Sequence, residues 1–338
     1  MHNSYSASLF LDLDGVTLSS SEQRLLKHPL VGGVILFSRN TENAEQVAGL
    51  VKAIRSIRPD LVISLDQEGG RVQRLKEGVT RLPAVKSIVL ADGAEQQKQN
   101  NAEQLGYLMA MELRLLDIDL SFAPVVDVDY GRNTVIGNRA FGCDVATVIQ
   151  QSSSYINGMR KAGMPATAKH FPGHGWANAD THHADAIDER SFTEICHTDL
   201  LPFKTAIEQG VEAMMLAHVV YTQCDPAPAG FSKFWLQEIL RQELGFKGII
   251  FSDDLSMKAA HSAGTPAQRA QRAIEAGCQV LLCCNDRAGW LEVLAYLEAD
   301  GVAPCRALSS LRGQVVSVDE KMMQNARVLA EALVDMES

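Results

Sequence analysis

The segment Gly248–Cys284 reads GIIFSDDLSMKAAHSAGTPAQRAQRAIEAGCQVLLCC and contains one full repeat of the pattern that decides the fold. Its two apolar runs, Gly248–Asp253 and Gln279–Cys284, have the length of β-strands. The amphipathic stretch between them, Thr265–Ala276, opens on a threonine followed by a proline, which is a common start for a helix. A strand, a helix and a second strand in this order predict two parallel strands joined by a crossover helix.

The same alternation of short apolar runs and longer amphipathic stretches extends over most of the chain. Helical patterns occur at Thr41–Ile57, with Thr41 as the N-cap, and at Glu95–Leu116, Asp144–Ala162 and Lys233–Leu244. Eight strand–helix units predict an α/β protein whose strands close into a (β/α)8 TIM barrel with extended loops. The predicted strands are Ser8–Leu13, Gly33–Phe37, Leu61–Asp66, Asp119–Val126, Ala166–Phe171, Ala213–Val219, Gly248–Asp253 and Gln279–Cys284.

The length of 338 residues fits one such barrel with additions, because a TIM barrel uses about 250 residues. We assign residues 7–285 to the barrel and residues 286–338 to a C-terminal helical tail, in which Trp290–Leu297 and Lys321–Met336 have helical patterns. No low-complexity tract or linker composition separates the two parts. The sequence therefore predicts a single catalytic domain over residues 1–338.

The charge balance argues against nucleic acid and membrane partners. The chain has 31 basic and 41 acidic residues, mixed along its length, whereas nucleic-acid binding requires a basic face. Its start has no basic region before an apolar run, and no apolar run approaches the ~18 residues of a membrane span. Seven cysteines, several in apolar strand-like text, are typical of reduced thiols. We expect a cytoplasmic monomer that acts on a small molecule.

Polar residues accumulate where the predicted strands end. In a TIM barrel these ends meet at one face, and that face carries the active site. One charged residue at a strand end is often only a turn or a helix cap, but polar groups after five strands predict a ligand at the mouth. The residues concerned are the Asp66–Arg71 segment, Asp127, Lys169 and His170, His218, and Ser252 with Asp253 and Asp254.

The segment Lys169–Asp188, KHFPGHGWANADTHHADAID, contains four of the nine histidines. A zinc site is one interpretation, but proline and glycine prevent the helix on which two histidine ligands would share a face, so we expect no metal. Another interpretation starts from Asp180 and His182. A carboxylate two residues away can hold the imidazole in one tautomer and stabilise its protonated form, which makes His182 a candidate proton shuttle.

Two adjacent carboxylates, Asp253 and Asp254, end the seventh predicted strand. Either could attack a substrate carbon and form a covalent intermediate, and either could instead bind Mg²⁺ or cap a helix. Alternation places the two side chains on opposite faces of the strand. Because the strand is apolar on both faces, the pattern leaves open which carboxylate points inward.

Several motifs in one order resemble glycoside hydrolase family 3, and within it the bacterial NagZ-type β-N-acetylglucosaminidases that recycle cell-wall fragments. They are DQEGGRVQR at Asp66–Arg74, KHFPGHG at Lys169–Gly175 with Asp180-Thr181-His182 after it, and GIIFSDDLSM at Gly248–Met257. The resemblance spans nearly the whole barrel, from HPLVGG at His28–Gly33 to the seventh strand. It implies a glycosidase that removes terminal N-acetylglucosamine from muropeptides and needs no cofactor and no metal.

The resemblance also implies roles for individual residues. Asp253 is expected to be the nucleophile, His182 the general acid/base and Asp180 its partner. Sugar contacts are expected at Asp66, Arg74, Arg139, Lys169 and His170, and the arginines could also hold a carboxylate of the leaving group. A histidine in place of the usual second carboxylic acid would repel incoming anions less, so phosphate could compete with water and a phosphorylase is an alternative.

One string indicates a different class of enzyme. LFLDLDGV at Leu9–Val16 is similar to the opening of haloacid-dehalogenase-type phosphatases, in which the first aspartate attacks phosphate and the second acts with Mg²⁺. That alternative explains neither the eight strand–helix units nor the Lys169–His182 segment. A third alternative, a sugar-binding barrel without catalysis, would require the nucleophile or the acid/base to be missing, and both are present.

Overall fold

A computed structural model describes residues 5–132, 134–177 and 186–337. Within these ranges, eight parallel strands pair in chain order, and the first pairs with the last, as predicted for a TIM barrel. Between the strands Leu120–Ser121 and Thr167–Phe171 the ring is completed by backbone hydrogen bonds from Thr167 to Ala123 (2.8 Å) and from Val126 to Lys169 (2.9 Å). The strands are β1 Ser8–Asp12, β2 Val31–Leu36, β3 Val62–Leu65, β4 Leu120–Ser121, β5 Thr167–Phe171, β6 Ala213–Leu216, β7 Ile249–Asp254 and β8 Val280–Leu282.

Helices surround the ring. The α-helices are Ser20–Leu25, Ala44–Ile57, Val85–Leu90, Glu95–Arg114, Val145–Lys161, Phe192–His197, Leu200–Glu208, Pro266–Ala276, Arg287–Ala299 and Glu320–Glu337, and Phe234–Glu243 has π-helical hydrogen bonding. Short 3₁₀ turns are Ser38–Asn40, Gly137–Arg139, Ala229–Phe231, Lys258–Ala263 and Arg306–Leu311. The helix Arg287–Ala299 packs on its neighbour Pro266–Ala276, and Glu320–Glu337 packs on Glu95–Arg114. None of the helices in the described ranges is long and apolar enough to cross a membrane.

Two small sheets lie beyond the carboxyl ends of the strands. Gln67–Gly69 and Val72–Gln73 form an antiparallel hairpin directly after β3, and Ala186–Asp188 pairs in parallel with Val219–Tyr221. Asp66 directly precedes the hairpin and Glu68 lies within its first strand, so the pairing of the hairpin fixes the backbone of both residues. These additions are the extended loops that the sequence predicts.

The interior of the barrel is packed with side chains from alternate strand positions. Phe251 is central to this layer, with edge-to-face contacts to Phe10 (5.4 Å between ring centroids) and Phe122 (5.3 Å). Ile250 belongs to the outer layer between strands and helices. A register shift between Phe251 and Asp254 interrupts the regular alternation at the end of β7, where Asp253 follows this layer.

Two boundary predictions are wrong in detail. The helix predicted from Thr41 begins at Ala44, and its N-cap is Asn43, whose side chain accepts a hydrogen bond from the amide of Gln46 (2.9 Å). The Thr41 hydroxyl donates instead to the carbonyl of Arg74 (2.8 Å), so a tertiary contact replaces the predicted cap. The fourth strand is much shorter than Asp119–Val126, because Pro124 lies within the predicted run and has no amide to donate.

Candidate active site

A cavity of about 900 Å³ opens at the carboxyl ends of the strands. All six predicted site residues that the structure describes line this cavity, although they are spread over nearly 190 positions of sequence. They are Asp66, Arg74, Arg139, Lys169, His170 and Asp253. The other two predicted catalytic residues, Asp180 and His182, lie outside the described residues. The barrel therefore brings together all predicted site residues that lie within the described ranges.

A chain of ion pairs runs along one wall of the cavity. Lys169, which is 2% exposed, lies between two carboxylates, 3.2 Å from Asp66 and 2.5 Å from Glu68. The guanidinium of Arg139 makes a two-fold contact with Glu68, at 2.7 and 2.8 Å. Arg74 completes the chain by donating to Asp66 at 3.0 Å. The cluster fixes five side chains relative to one another before any ligand arrives.

The pairing also fixes the charges. Burial raises the pKa of the Asp66 carboxyl, but the neighbouring charges of Lys169 and Arg74 more than offset burial and leave this pKa lowered. The pKa of Glu68 is likewise lowered well below its usual range, because Arg139 and Lys169 outweigh its burial. Both carboxylates are therefore ionised at neutral pH. They can accept hydrogen bonds from sugar hydroxyls, but neither can supply a proton.

His170 is held by the carboxylate of Asp127, which the sequence indicates only as a polar residue at the end of a strand. Asp127 is fully buried and accepts from His170 Nδ1 at 2.7 Å, from the amide of His170, and from the amide of His174 at 2.8 Å. Nδ1 of His170 therefore faces the buried carboxylate, while the ring as a whole lines the cavity.

Asp253 and Asp254 occupy different environments although they are adjacent. Both residues line the cavity, and Asp253 Oδ1 accepts only the backbone amide of Asp254, at 2.8 Å, among the hydrogen bonds of the described residues. Asp254 accepts from the amides of Ser256 and Cys284, both at 2.9 Å, and from the Ser256 hydroxyl at 2.8 Å. Burial raises the pKa of Asp254 to about 6. The second carboxylate is thus committed to joining the ends of β7 and β8, and the first is available to a ligand.

Comparisons with known proteins agree with this arrangement. Residues 10–316 match the model of the glycosyl hydrolase family 3 N-terminal domain. The chain belongs to glycosyl hydrolase family 3. It is 51% identical over 307 residues to a β-hexosaminidase of Pseudomonas aeruginosa (strain LESB58), with 91% of each chain covered, and 46% identical over 331 residues to a β-hexosaminidase of Shewanella frigidimarina, with 97% of each covered. The crystal structure of native NagZ from Neisseria gonorrhoeae is 38% identical, with a TM-score of 0.88 over 97% of this chain and 98% of that one.

Family membership makes the chain a glycoside hydrolase and confirms the resemblance found in its motifs. The phosphatase alternative rested on Asp12 and Asp14 in the LFLDLDGV string, and the structure gives both other partners. Asp12 pairs with Arg39 and accepts the amide of Asn285 at 3.0 Å, whereas Asp14 pairs with Arg287. Neither carboxylate lines the cavity of this family 3 enzyme.

Three residues of the family 3 cavity or its wall were underrated by sequence reasoning. The sequence places Glu68 only within the Asp66–Arg71 segment, offers Asp254 as an alternative to Asp253, and includes His174 among the four histidines of Lys169–Asp188. The structure gives each a definite state: Glu68 is doubly paired, Asp254 is tied to β8, and burial lowers the pKa of His174 to about 4. The useful signal was present for Glu68, since DQEGG places it two residues after Asp66 on a hairpin.

The zinc interpretation of the histidine-rich segment finds no donor set in residues 5–132, 134–177 and 186–337. Those ranges contain no group of three or more histidine, cysteine, aspartate or glutamate side chains arranged to hold a metal ion. His174 lines the cavity beside His170, with 5.8 Å between the centroids of the two rings.

Proposed function

We propose that this family 3 hydrolase is a retaining exo-β-N-acetylglucosaminidase that removes non-reducing terminal N-acetylglucosamine from cell-wall muropeptides, such as N-acetylglucosaminyl-1,6-anhydro-N-acetylmuramic acid and its peptides. The relatives named β-hexosaminidases support this substrate class. So does a second structure of the Neisseria NagZ, solved in complex with N-trifluoroacetyl-D-glucosamine, with the same identity and TM-score as the native form. A role in peptidoglycan recycling in the cytoplasm, as a monomer without a cofactor, follows as part of the proposal.

The single observation that carries the mechanism is that Asp253 lines the cavity at the end of β7 while three hydrogen bonds hold its neighbour Asp254. Its carboxylate would attack the anomeric carbon and form a glycosyl ester while the bond to the leaving oxygen breaks. His182 would give its proton to that oxygen, then take a proton from the water that cleaves the ester, with Asp180 stabilising the imidazolium. Two displacements at one carbon return the β configuration.

The wall of ion pairs supports recognition of a neutral sugar. Asp66 keeps lone pairs for hydroxyl donors, and Arg74, Lys169 and His170 contribute N–H groups around it. Because each cation already faces a carboxylate, the wall presents many hydrogen-bonding atoms with little net charge. Such a surface suits N-acetylglucosamine, which has hydroxyl and amide groups but no charge.

A trapping experiment tests the proposal. A 5-fluoro or 2-deoxy-2-fluoro glycosyl donor should form an ester that turns over slowly, and peptide mapping should place the label on Asp253. NMR of the first product from an ordinary substrate should show the β-anomer. In Asp254→Asn the label should still appear on Asp253, because Asp254 is committed to the β8 contact. Labelling of Asp254 in the unmodified enzyme, or an α-anomer as the first product, would contradict the assignment.

A further inference from the structure

The aspartate that ends β1 in the LFLDLDGV string holds a residue that lines the cavity. Asp12 accepts the backbone amide of Asn285 at 3.0 Å and pairs with the guanidinium of Arg39. Arg39 also donates to the carbonyl of Leu13 at 2.8 Å and lies over the ring of Phe37, 4.9 Å from its centroid. These contacts fix the guanidinium beside the cavity, which both Phe37 and Asn285 line.

Arg39 decides how the side chain of Asn285 is oriented. Its Nη1 atom lies 2.6 Å from the Asn285 side chain. A guanidinium has donors and no acceptor, so the atom that faces it is the carbonyl oxygen Oδ1 and not the amide nitrogen. The nitrogen Nδ2 has no acceptor among the residues that the structure describes. Because Asn285 is exposed and lines the cavity, this donor is open to a ligand.

The backbone at Asn285 also indicates that its side chain has a use. Its φ of +58° lies in the left-handed region, which asparagine and aspartate adopt more readily than other residues with a side chain. Asp117 is the only other non-glycine residue within the described ranges that has a positive φ. Glycine adopts this region freely, so the turn after β8 would form without an asparagine side chain. Non-glycine residues with such a φ cluster at functional sites.

Asn285 lies near the strand that carries the proposed nucleophile. The amide of Cys284 donates to Asp254 Oδ1 at 2.9 Å, which places the next residue, Asn285, beside the end of β7. Asp253 is half-buried, whereas Asn285 is exposed at the mouth of the cavity. An attacking carboxylate and the departing oxygen lie on opposite faces of the sugar ring, so a leaving group expelled by Asp253 is directed toward the opening. Asn285 is therefore better placed to meet the leaving group than the enclosed sugar.

We propose that the side-chain amide of Asn285 donates a hydrogen bond to an uncharged oxygen of the leaving group, such as the acetamido carbonyl or a hydroxyl of a second sugar. This inference rests on the proposed function, which supplies that second sugar. The donor is neutral, and the cation beside it is already paired with Asp12, so the contact does not require a negative charge. Asn285 is then a specificity-determining residue for leaving groups that are sugars.

The test compares kcat/KM on N,N′-diacetylchitobiose, whose leaving group is a second sugar, with kcat/KM on phenyl N-acetyl-β-glucosaminide, whose leaving group has no acceptor beyond the glycosidic oxygen. In Asn285→Asp the ratio of the first value to the second should fall about three- to tenfold, the equivalent of one lost hydrogen bond. Aspartate keeps an acceptor for Arg39 and tolerates the same φ, so a role confined to holding Arg39 would leave the ratio unchanged and overturn the proposal. Asn285→Gly fits the φ, removes the side chain and should show a similar fall.

A third substrate, N-acetylglucosaminyl-1,6-anhydro-N-acetylmuramic acid, separates an uncharged acceptor from a carboxylate. In Asn285→Gly its kcat/KM should fall by the same factor as that of N,N′-diacetylchitobiose. A fall confined to the acidic substrate would mean that the amide binds a carboxylate, and equal losses on all three substrates would mean that it binds the N-acetylglucosamine unit. Either result overturns the proposal.

Asn100→Asp makes the same chemical change at an exposed position on the helix Glu95–Arg114, which does not line the cavity, and should leave the ratio unchanged. If the unmodified enzyme cleaves N,N′-diacetylchitobiose but not the muramic acid substrate, the proposed muropeptide substrate is contradicted. The ratio between N,N′-diacetylchitobiose and the phenyl glycoside still decides the role of Asn285 in that case.

Discussion

Asp254 shows how burial separates the roles of two adjacent carboxylates. Three hydrogen bonds hold it between β7 and β8, and its backbone carbonyl accepts from His218 Nε2 at 3.1 Å. Burial nevertheless raises its pKa to about 6, above the 3.8 of an unperturbed aspartate. A raised folded-state pKa means that the group favours the folded state fully below pH ~4. That contribution is lost as the pH rises through about 6.

Replacement by asparagine should remove this pH dependence. In Asp254→Asn the amide oxygen can still accept the two backbone amides, and no charge is buried at neutral pH. The variant should therefore gain about 1.4 kcal/mol of stability relative to the parent between pH 5 and pH 7, because about one pKa unit of the shift lies above pH 5. Urea unfolding at both pH values measures the difference, with Asp92→Asn as an exposed control. An equal stability difference at the two pH values would show that burial does not destabilise the charged form.

The proton shuttle can be tested at His182 itself. If His182 protonates the leaving oxygen, His182→Ala should lose roughly 10²–10⁴-fold in rate on alkyl N-acetylglucosaminides. The loss should be much smaller on nitrophenyl substrates, because their leaving groups depart without a proton. Asp180→Ala should show the same trend more mildly, and added azide should restore turnover of the glycosyl enzyme in His182→Ala.

A uniform loss on all substrates, without rescue by azide, would mean that the proton comes from elsewhere. The structure narrows that search. Glu68 is held as an anion by Arg139 and Lys169, and the lowered pKa of His174, about 4, leaves it neutral at pH 7. Neither is a proton donor under working conditions. His183, the neighbour of His182 in the same segment, would then be the next candidate for the proton donor, and it too lies outside the described residues.

The ion pairs of the cavity wall are the part of the site that no sequence pattern predicts. Lys169 and Asp66 are 103 residues apart, and Arg139 and Glu68 are 71 apart. Motifs identify each residue as polar and at a strand end, but only the closure of the barrel makes them neighbours. For the same reason the sequence predicts that Arg74 and Arg139 could hold a carboxylate of the leaving group, whereas in the folded protein both already pair with carboxylates of the wall.

At the scale of elements, a buried network centred on Arg190 joins parts of the chain that are far apart in sequence. Arg190 is 8% exposed and donates to Asp188 (2.6 and 3.0 Å) and Asp199 (2.7 Å), both of which are buried. Tyr130, from the loop after β4, donates to the same Asp199 at 2.9 Å. The network thereby links the strand Ala186–Asp188, the start of the helix Leu200–Glu208 and the loop after β4.

Removal of the central cation, Arg190, should lower the free energy of unfolding strongly. Arg190→Met leaves two buried carboxylates without their partner, and breaking a buried ion pair in this way costs about 3–5 kcal/mol. Chemical unfolding should show a loss in that range, and Arg190→Lys should lose less because it keeps the charge without the fork geometry. Arg272→Met, an exposed control in the helix Pro266–Ala276, should stay within about 0.5 kcal/mol of the parent. If the free energy of unfolding of Arg190→Met changes as little as that of the control, the network contributes little to stability.

The elements themselves were largely predictable, because apolar runs bounded by polar residues define buried parallel strands. The helix Pro266–Ala276 begins where Thr265-Pro266 predicts, and Thr265 accepts the amide of Gln268 as its N-cap. The π-helical hydrogen bonding of Phe234–Glu243 was not predicted, since its apolar spacing does not differ from that of an α-helix. The local pattern predicted the wrong N-cap at Thr41, because the Thr41 side chain donates instead to a residue 33 positions later in the chain.

At the scale of the whole molecule, the last helix supports the active-site wall from outside. Glu337, near the end of the helix Glu320–Glu337, accepts from the amide of Ala84 (2.7 Å) and from the Ser87 hydroxyl (2.5 Å). Ala84 precedes the helix Val85–Leu90 and has no capping side chain of its own. The same stretch presses on the DQEGG turn, where a side chain at Gly70 would come within 2.9 Å of Ala84. A carboxylate 253 residues away therefore caps a helix that begins beside Gly70, two residues after Glu68.

Loss of this long-range cap should affect both the helix Val85–Leu90 and the active-site wall. Glu337→Ala should lower the free energy of unfolding by about 1 kcal/mol, as for other helix caps, and should speed hydrogen exchange of the amides at residues 84–87. Because that helix backs the sugar-binding wall, KM for a nitrophenyl N-acetylglucosaminide should rise while kcat changes little. Glu337→Gln retains an acceptor oxygen and should behave like the parent, and Glu331→Ala, an exposed acid on the same helix, controls for loss of charge. If exchange at residues 84–87 responds no more to Glu337→Ala than to Glu331→Ala, the cap does not hold the wall, and the C-terminal helix contributes only through its packing on Glu95–Arg114.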